Sequence, residues 1–147
     1  MELAQGRAFV HQPQCVDAAV IVELGVDVLV RTSEHELSLA RGHQSQEHYQ
    51  RIGKHFCLTA ITLRGGARVT LHYDHQHAGQ TVLSDLITYQ GDTLHQHIHT
   101  QLDDNGRINA LWLMNEGAPL RQLAGYDYDE HGISAISSNG VVLAQSA

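Results

Sequence analysis

Histidine is the residue type in this sequence with the greatest capacity for chemistry, since it supplies 12 of the 147 residues. Six of them form two closely spaced groups, which are His72, His75 and His77, and His95, His97 and His99. Neutral imidazole binds zinc, nickel and copper, so both groups are candidate metal ligands. Alternate residues of a strand lie about 6.6 Å apart, which is too far for one strand to build a compact tetrahedral site. Because no carboxylate completes the row, we predict no metal and no other cofactor.

Asp85 is the one carboxylate predicted to lie on an apolar strand face. Pairing apolar residues across a turn at 78–79 sets Tyr73 opposite Leu83 and Leu71 opposite Asp85. Burial on that face would raise the pKa of the Asp85 carboxyl and suit it to general acid or base chemistry. Tyr73, a diagonal neighbour, would stabilise a developing oxyanion while Asp85 moves the proton. The alternative is a structural Asp85 that bonds a backbone N–H or an arginine near a strand end.

The same register predicts a ligand-binding face around Asp85 and Tyr73. Turns at 91–92 and 104–106 place Ile98 beside Asp85, Trp112 opposite Ile98, and Leu102 opposite Ile108. The expected occupant is a small apolar molecule, and its predicted contacts are Val69, Leu71, His75, Leu83, Ile87, Tyr89, Ile98 and Trp112. On this register His72, His97 and His99 fall on the opposite face, which is therefore expected to be an exposed or dimer-facing surface.

Period-two alternation from residue 57 onward predicts the strands that carry these side chains. The predicted strands are 58–63, 68–77, 81–90, 93–102 and 107–114, with a weaker hairpin of 133–137 and 141–145. Each is bounded by a turn signal such as Gly65-Gly66, Ala78-Gly79 or Gly91-Asp92. Connections this short exclude crossover helices, so the sheet is predicted to be an antiparallel meander.

Helices are expected before the meander. Val16, Val20 and Leu24 fit a helical stripe, but Val20–Val22 and Val26–Val30 also fit a strand, so periodicity alone does not decide between them. With a break at Gly25, we predict a helix over 16–24 followed by a strand over 26–32. Tyr49, Ile52 and Phe56 recur at i, i+3 and i+7, which predicts a second helix over 43–56. Helices followed by strands make an α+β fold, in which N-terminal helices pack on a strongly curved antiparallel sheet. We predict a single domain over 1–147, with 125–147 as a C-terminal extension.

Charge and composition limit the partners. The chain carries a formal charge of −7 with neutral histidine, which would become +5 with every histidine protonated. It has no cluster of basic residues, so we predict no nucleic acid and no membrane as partners. The start of the sequence does not resemble a signal peptide. The two cysteines, Cys15 and Cys57, are not in CxxC spacing, so two free thiols and a cytoplasmic location are expected.

Three segments resemble the nuclear transport factor two-like superfamily, in its SnoaL-like branch. They are RGHQSQEHYQRIGKHF, ARVTLHYDHQHAG and LDDNGRINALWL, within about residues 25–117. The resemblance implies a cone-like α+β barrel, a pocket between sheet and helices, and a homodimer. A rival resemblance joins ITLRGGARVTLHYDHQH to the first motif of cupins. The glutamate expected after His77 and the Pro-x-Gly of the second cupin motif are absent.

Three functions remain open on the sequence. The first is a small hydrophobic-ligand-binding α+β barrel protein that acts as an isomerase, a cyclase or an epoxide hydrolase through Asp85 and Tyr73. The second is a non-catalytic ligand-binding or interaction module on the same scaffold. The third is a cupin-like barrel that binds a metal through its histidines.

Overall fold

The computed structural model describes residues 15–16, 28–31, 33–42, 44–138 and 141–145, and these residues form strands and turns only. The strands are β1 Cys15–Val16, β2 Val28–Arg31, β3 Glu36–Arg41, β4 Ser45–Ile52, β5 His55–Leu63, β6 Ala67–His72, β7 His75–His77, β8 Gln80–Val82, β9 Asp85–Gln90, β10 Thr93–Leu102, β11 Ile108–Asn115, β12 Ala118–Asp129, β13 Gly132–Ser138 and β14 Val141–Gln145. No helix long and apolar enough to cross a membrane occurs within these ranges.

The predicted α+β fold is therefore wrong, and so is the cone-like α+β barrel that the superfamily resemblance implies. No described residue is helical. Residues 17–24 of the first predicted helix lie outside the described ranges. The strand predicted over 26–32 is confirmed where it is described, as β2.

The chain divides into two compact units. The first, which we call the amino unit, comprises Pro13–His72 and Ile87–His95. The second, the carboxy unit, comprises Tyr73–Leu86 and the described residues of Gln96–Ala147. In the amino unit β2 to β6 are hydrogen-bonded neighbours in chain order. In the carboxy unit β10 to β14 are neighbours in chain order, and β7 pairs with β8 in a separate two-stranded sheet.

The second predicted helix, over 43–56, is the β4–β5 hairpin. Tyr49 pairs with Leu37 of β3 on one side and with Leu58 of β5 on the other. A helix would have buried only three apolar side chains in this polar segment, whereas the ladder places Tyr49 among apolar neighbours from two strands. The buried cluster of the amino unit is accordingly Leu37, Leu39, Tyr49 and Phe56, with Leu58 packed against it. Gly53, at φ +63°, lies in the turn between β4 and β5.

A disulfide joins Cys15 to Cys57, where β1 pairs with β5. The prediction of two free thiols is wrong for this reason, since neither cysteine is free. The spacing of 42 residues gave no signal of the pairing, because only the ladder brings the two positions together. Because both cysteines are in a disulfide, they give no indication of a reducing compartment.

The antiparallel meander is confirmed in the carboxy unit, where the 133–137 and 141–145 hairpin appears as β13 and β14. Two long predicted strands are interrupted. The strand predicted over 68–77 breaks at Tyr73-Asp74, and the strand over 81–90 breaks at Leu83-Ser84. The interruptions separate the β7–β8 hairpin from the strands that precede and follow it, and they position Asp85 at the start of β9.

A β-bulge in β11 determines which side chains face each other across β10 and β11. Leu102 pairs with Ile108 as predicted, but Gln101 pairs with Ala110, so Asn109 is an extra residue. From that point the register is displaced by one. His99 stands opposite Trp112, and the predicted partner, Ile98, pairs with Leu113 instead. The one-residue displacement gives Trp112 a histidine as its neighbour in place of an isoleucine.

Candidate functional site

Two buried polar residues, Ser84 and Thr100, connect the irregular segment before β9 to β10. Ser84 is 1% exposed and Thr100 is fully buried. The Thr100 hydroxyl donates to the Leu83 carbonyl at 2.6 Å, and the Thr100 N–H donates to the Ser84 carbonyl at 2.9 Å. The Ser84 hydroxyl oxygen accepts the Asp74 N–H at 3.0 Å. These bonds satisfy polar groups that the interruption of the strand would otherwise leave buried without partners.

Asp85 directly follows Ser84 in the chain, and its carboxylate accepts hydrogen bonds from two histidines. His97 donates from Nε2 to Oδ1 at 2.7 Å, and His99 donates from Nδ1 to the same oxygen at 2.9 Å. His97 and His99 are alternate residues of β10 and so point to the same side. The Asp85 side chain is 17% exposed. The prediction that His97 and His99 lie on the face opposite Asp85 is wrong.

The environment keeps the Asp85 carboxyl ionised. Burial raises its pKa, but hydrogen bonds from His97, His99 and Ser84 outweigh burial and bring the pKa below its ordinary value of 3.8. The predicted upward shift is therefore wrong. The prediction placed Asp85 among apolar neighbours, where no donor would offset desolvation, whereas in the structure His97, His99 and Ser84 donate to it. An ionised carboxylate accepts hydrogen bonds and orients the imidazoles that donate to it.

His75, on β7, lies beside His99. Its Nε2 donates to the Thr100 carbonyl at 2.8 Å. Its ring meets that of His99 edge to face, with 5.3 Å between the ring centroids. Because a carbonyl and a carboxylate are acceptors only, each of these two rings carries its proton on the bonded nitrogen when neutral. The other nitrogen is then an acceptor, which is Nδ1 in His75 and Nε2 in His99.

A cavity of about 320 Å³ lies beside these two histidines. Its volume is at the small end of the roughly 300–1,000 Å³ range of ligand pockets. Trp112 contributes the largest aromatic surface, and its Nε1–H donates to the Gln101 side-chain oxygen at 3.0 Å. Trp112 is also the single tryptophan of the chain. The cavity is lined by His75, His99, Thr100, Gln101, Leu102, Trp112, Met114 and Pro119, all within the carboxy unit.

Two of the residues predicted to contact a ligand, His75 and Trp112, line this cavity. Tyr73 lies between β6 and β7, Leu83 lies between β8 and β9, and Ile98 pairs with Leu113. None of these three residues lines the cavity. The remaining four belong to the amino unit. There Val69 pairs with Ile61, Leu71 is buried, the Ile87 carbonyl accepts the Thr70 hydroxyl, and Tyr89 lies under the Arg68 guanidinium, 4.7 Å from its ring centre.

His97, His99, Gln101 and Met114 were not among the residues predicted to form the ligand-binding face. The HxHxH spacing was the available signal, because it shows that His97 and His99 share a face. Which residues of β11 stand opposite that strand depends on Asn109, and a single extra residue in a strand has no reliable sequence signature. Pro119, which also lines the cavity, pairs with Met114 within the β11–β12 ladder.

Within the described ranges, no group of three or more histidine, cysteine, aspartate or glutamate side chains is placed to hold a metal ion. His97 and His99 both direct a nitrogen to Asp85, so these two nitrogens are occupied by a carboxylate oxygen. No protein-family model and no curated protein matches the chain.

Proposed function

We propose that the carboxy unit binds a small, mostly apolar molecule in the cavity and that His99 exchanges a proton with it. The observation that carries the proposal is that His99 contacts both the cavity and Asp85. Its ring lines the cavity, and its Nδ1–H is held by Asp85. A carboxylate on Nδ1 fixes the tautomer that leaves Nε2 as the acceptor, and it stabilises the imidazolium formed when Nε2 takes a proton.

The proton-transfer roles follow from this arrangement. Asp85 is not among the residues that line the cavity, so it acts as a positioning residue for His99. His99 is the general base, and Trp112 with Met114 and Leu102 supplies the apolar wall that holds the body of the molecule. Reactions that need one base beside an apolar substrate include isomerisation and cyclisation, and these are the reaction classes proposed.

Binding without turnover is the second candidate function. It is favoured by the small number of polar groups on the cavity wall, since the Gln101 side-chain oxygen is already bonded to Trp112. Stabilising a developing oxyanion requires donors aimed at it. A non-catalytic domain would use the same cavity, with His99 as a hydrogen-bond acceptor only.

One titration tests binding and proton transfer together. The probe is p-nitrophenol, whose phenolate form is coloured, and binding is followed by the single indole N–H resonance, which belongs to Trp112. We expect a saturable movement of that resonance together with a rise in the phenolate band as the cavity fills. His99→Gln should retain the movement of the resonance and lose the rise in phenolate, because the glutamine has no basic nitrogen.

The control compares two arginine substitutions. Met114→Arg fills the cavity and should abolish the response of the Trp112 resonance, whereas Leu143→Arg, on the exposed strand β14, should leave it unchanged. An indole resonance that does not move in the wild type contradicts the proposal. Movement without additional phenolate contradicts the proton transfer and leaves the binding function.

A further inference from the structure

We propose that the cavity selects molecules that present two hydrogen-bond donors, such as two hydroxyl groups on one small apolar body. This inference deepens the proposed function and rests on it. His99 accounts for one acceptor at the cavity wall. The second comes from His75, which also lines the cavity and whose Nε2–H is held by the Thr100 carbonyl.

The His75 tautomer is fixed by a rigid partner. Thr100 is fully buried, its N–H and its hydroxyl are both bonded, and its carbonyl receives the His75 proton. A carbonyl oxygen cannot donate, so neutral His75 carries its proton on Nε2 and accepts at Nδ1. The reverse tautomer would place two acceptors against each other and leave a buried carbonyl without a donor.

The two acceptors are close enough for one molecule to reach both. The ring centroids of His75 and His99 are 5.3 Å apart, and a cavity of about 320 Å³ borders both rings. A dihydroxybenzene has the apolar body that suits Trp112 and Met114, and its two O–H groups match two imidazole acceptors. A molecule with one hydroxyl would leave one acceptor nitrogen without a donor in a partly buried wall, which reduces its affinity.

The experiment compares ligands that differ only in donor number. The series begins with anisole, which has no hydroxyl group, and phenol, which has one. Catechol, resorcinol and hydroquinone each have two hydroxyl groups and differ in the spacing between them. Each is titrated into the intact chain with a chelator present, and the Trp112 indole resonance gives the dissociation constant. We expect at least one dihydroxybenzene to bind about tenfold or more tightly than phenol, since tenfold is the effect of one additional net hydrogen bond.

Substitution of His75 identifies the second acceptor. His75→Phe keeps a ring of similar size and should remove the preference, so that the preferred dihydroxybenzene binds to this variant no more tightly than phenol binds to the same variant. His131→Phe is the control, because His131 lies on an exposed turn of the same unit with its side chain 84% exposed. If His75→Phe does not fold, the ligand series on the wild type decides the question alone.

The outcomes separate the two proposals. Phenol that binds as tightly as every dihydroxybenzene overturns the two-donor inference and leaves the cavity and His99 in place. A His75→Phe variant that folds and keeps the dihydroxybenzene preference also overturns it. Failure of every member of the series to move the Trp112 resonance is a failure of the proposed function itself.

Discussion

Asp85 shows how strongly the role of a single residue depends on its partners. The sequence singled it out as a carboxylate among apolar residues, and that choice identified a residue of the candidate site. The predicted role did not hold, because three donors surround the carboxylate and lower its pKa. Strand alternation predicts which residues share a face, but it cannot say which donors meet a given oxygen. We therefore propose the acid–base role for His99, which lines the cavity, and not for Asp85.

Asp85→Asn should destabilise the carboxy unit at neutral pH. The expected loss is about 1.5–3 kcal/mol of the free energy of unfolding, the range for hydrogen bonds to a charged group. Since the pKa of Asp85 is lower in the folded state, its contribution is fully present above about pH 4 and disappears as the pH falls through the lowered value. Urea unfolding at pH 7 and pH 3 measures both quantities.

Asp104→Asn serves as the matched control for this experiment, because Asp104 lies on an exposed turn of the same unit. It should change the free energy of unfolding by less than about 0.5 kcal/mol. If the difference between wild type and Asp85→Asn were as large at pH 3 as at pH 7, the ionised carboxylate would not be its source.

At the scale of elements, turn signals predicted the structure well and helical spacing predicted it poorly. Gly65, Gly66, Gly79, Gly91 and Gly106 all adopt positive φ at the positions expected for turns. Turn chemistry is local, because it depends on the φ values that one or two residues tolerate. The choice between helix and strand at Tyr49 depended instead on Leu37 and Leu58, which lie on other strands. Non-local pairing of that kind overrides a short apolar period.

The turn between β10 and β11 should be unusually sensitive at Gly106. This residue has φ +80°, and a Cβ there would lie 2.4 Å from the His77 ring. Gly106→Ala should therefore combine backbone strain with a steric clash. Gly117→Ala, at φ +82° with nothing within 4 Å of its Cβ, would incur the strain alone. We expect Gly106→Ala to be more destabilising than Gly117→Ala by about 1–3 kcal/mol, measured by urea unfolding.

A second substitution identifies the clash. His77→Ala opens space beside Gly106, so the additional effect of Gly106→Ala should be largely absent in that background. Equal destabilisation by the two glycine substitutions in the wild-type background would contradict the contact with His77.

At the scale of the whole molecule, the fold class was the least predictable property. The α+β prediction added two helices to a correctly recognised meander, and one of them lay over a segment that the structure shows as β4 and β5. The homodimer, the absence of nucleic acid and membrane partners, and the single domain with its 125–147 extension stay predictions. The change of formal charge from −7 to +5 on full histidine protonation remains a property of the composition, whichever face the histidines occupy.

The disulfide should contribute substantially to global stability. A cross-link over 42 residues restricts the unfolded chain, and the chain-entropy estimate of its effect is about 4 kcal/mol. Reduction by dithiothreitol should lower the free energy of unfolding by about 2–4 kcal/mol. The double variant Cys15→Ala/Cys57→Ala should show a similar loss and no further response to the reductant. Two thiols that react in the unfolded, unreduced protein would contradict the bond.

Asn109 has a consequence for how sequences related to this one should be aligned. The bulge absorbs one residue of β11, so a relative that is one residue shorter between Ile108 and Trp112 would reach the same His99–Trp112 pair through an unbroken ladder. A relative of equal length without the bulge would present Ile98 to that tryptophan. An alignment gap opposite Asn109 would thus indicate that the relative has the same His99–Trp112 pair. An alignment without that gap would not show which residue faces the tryptophan, so the spacing of the histidines is the better criterion for aligning β10.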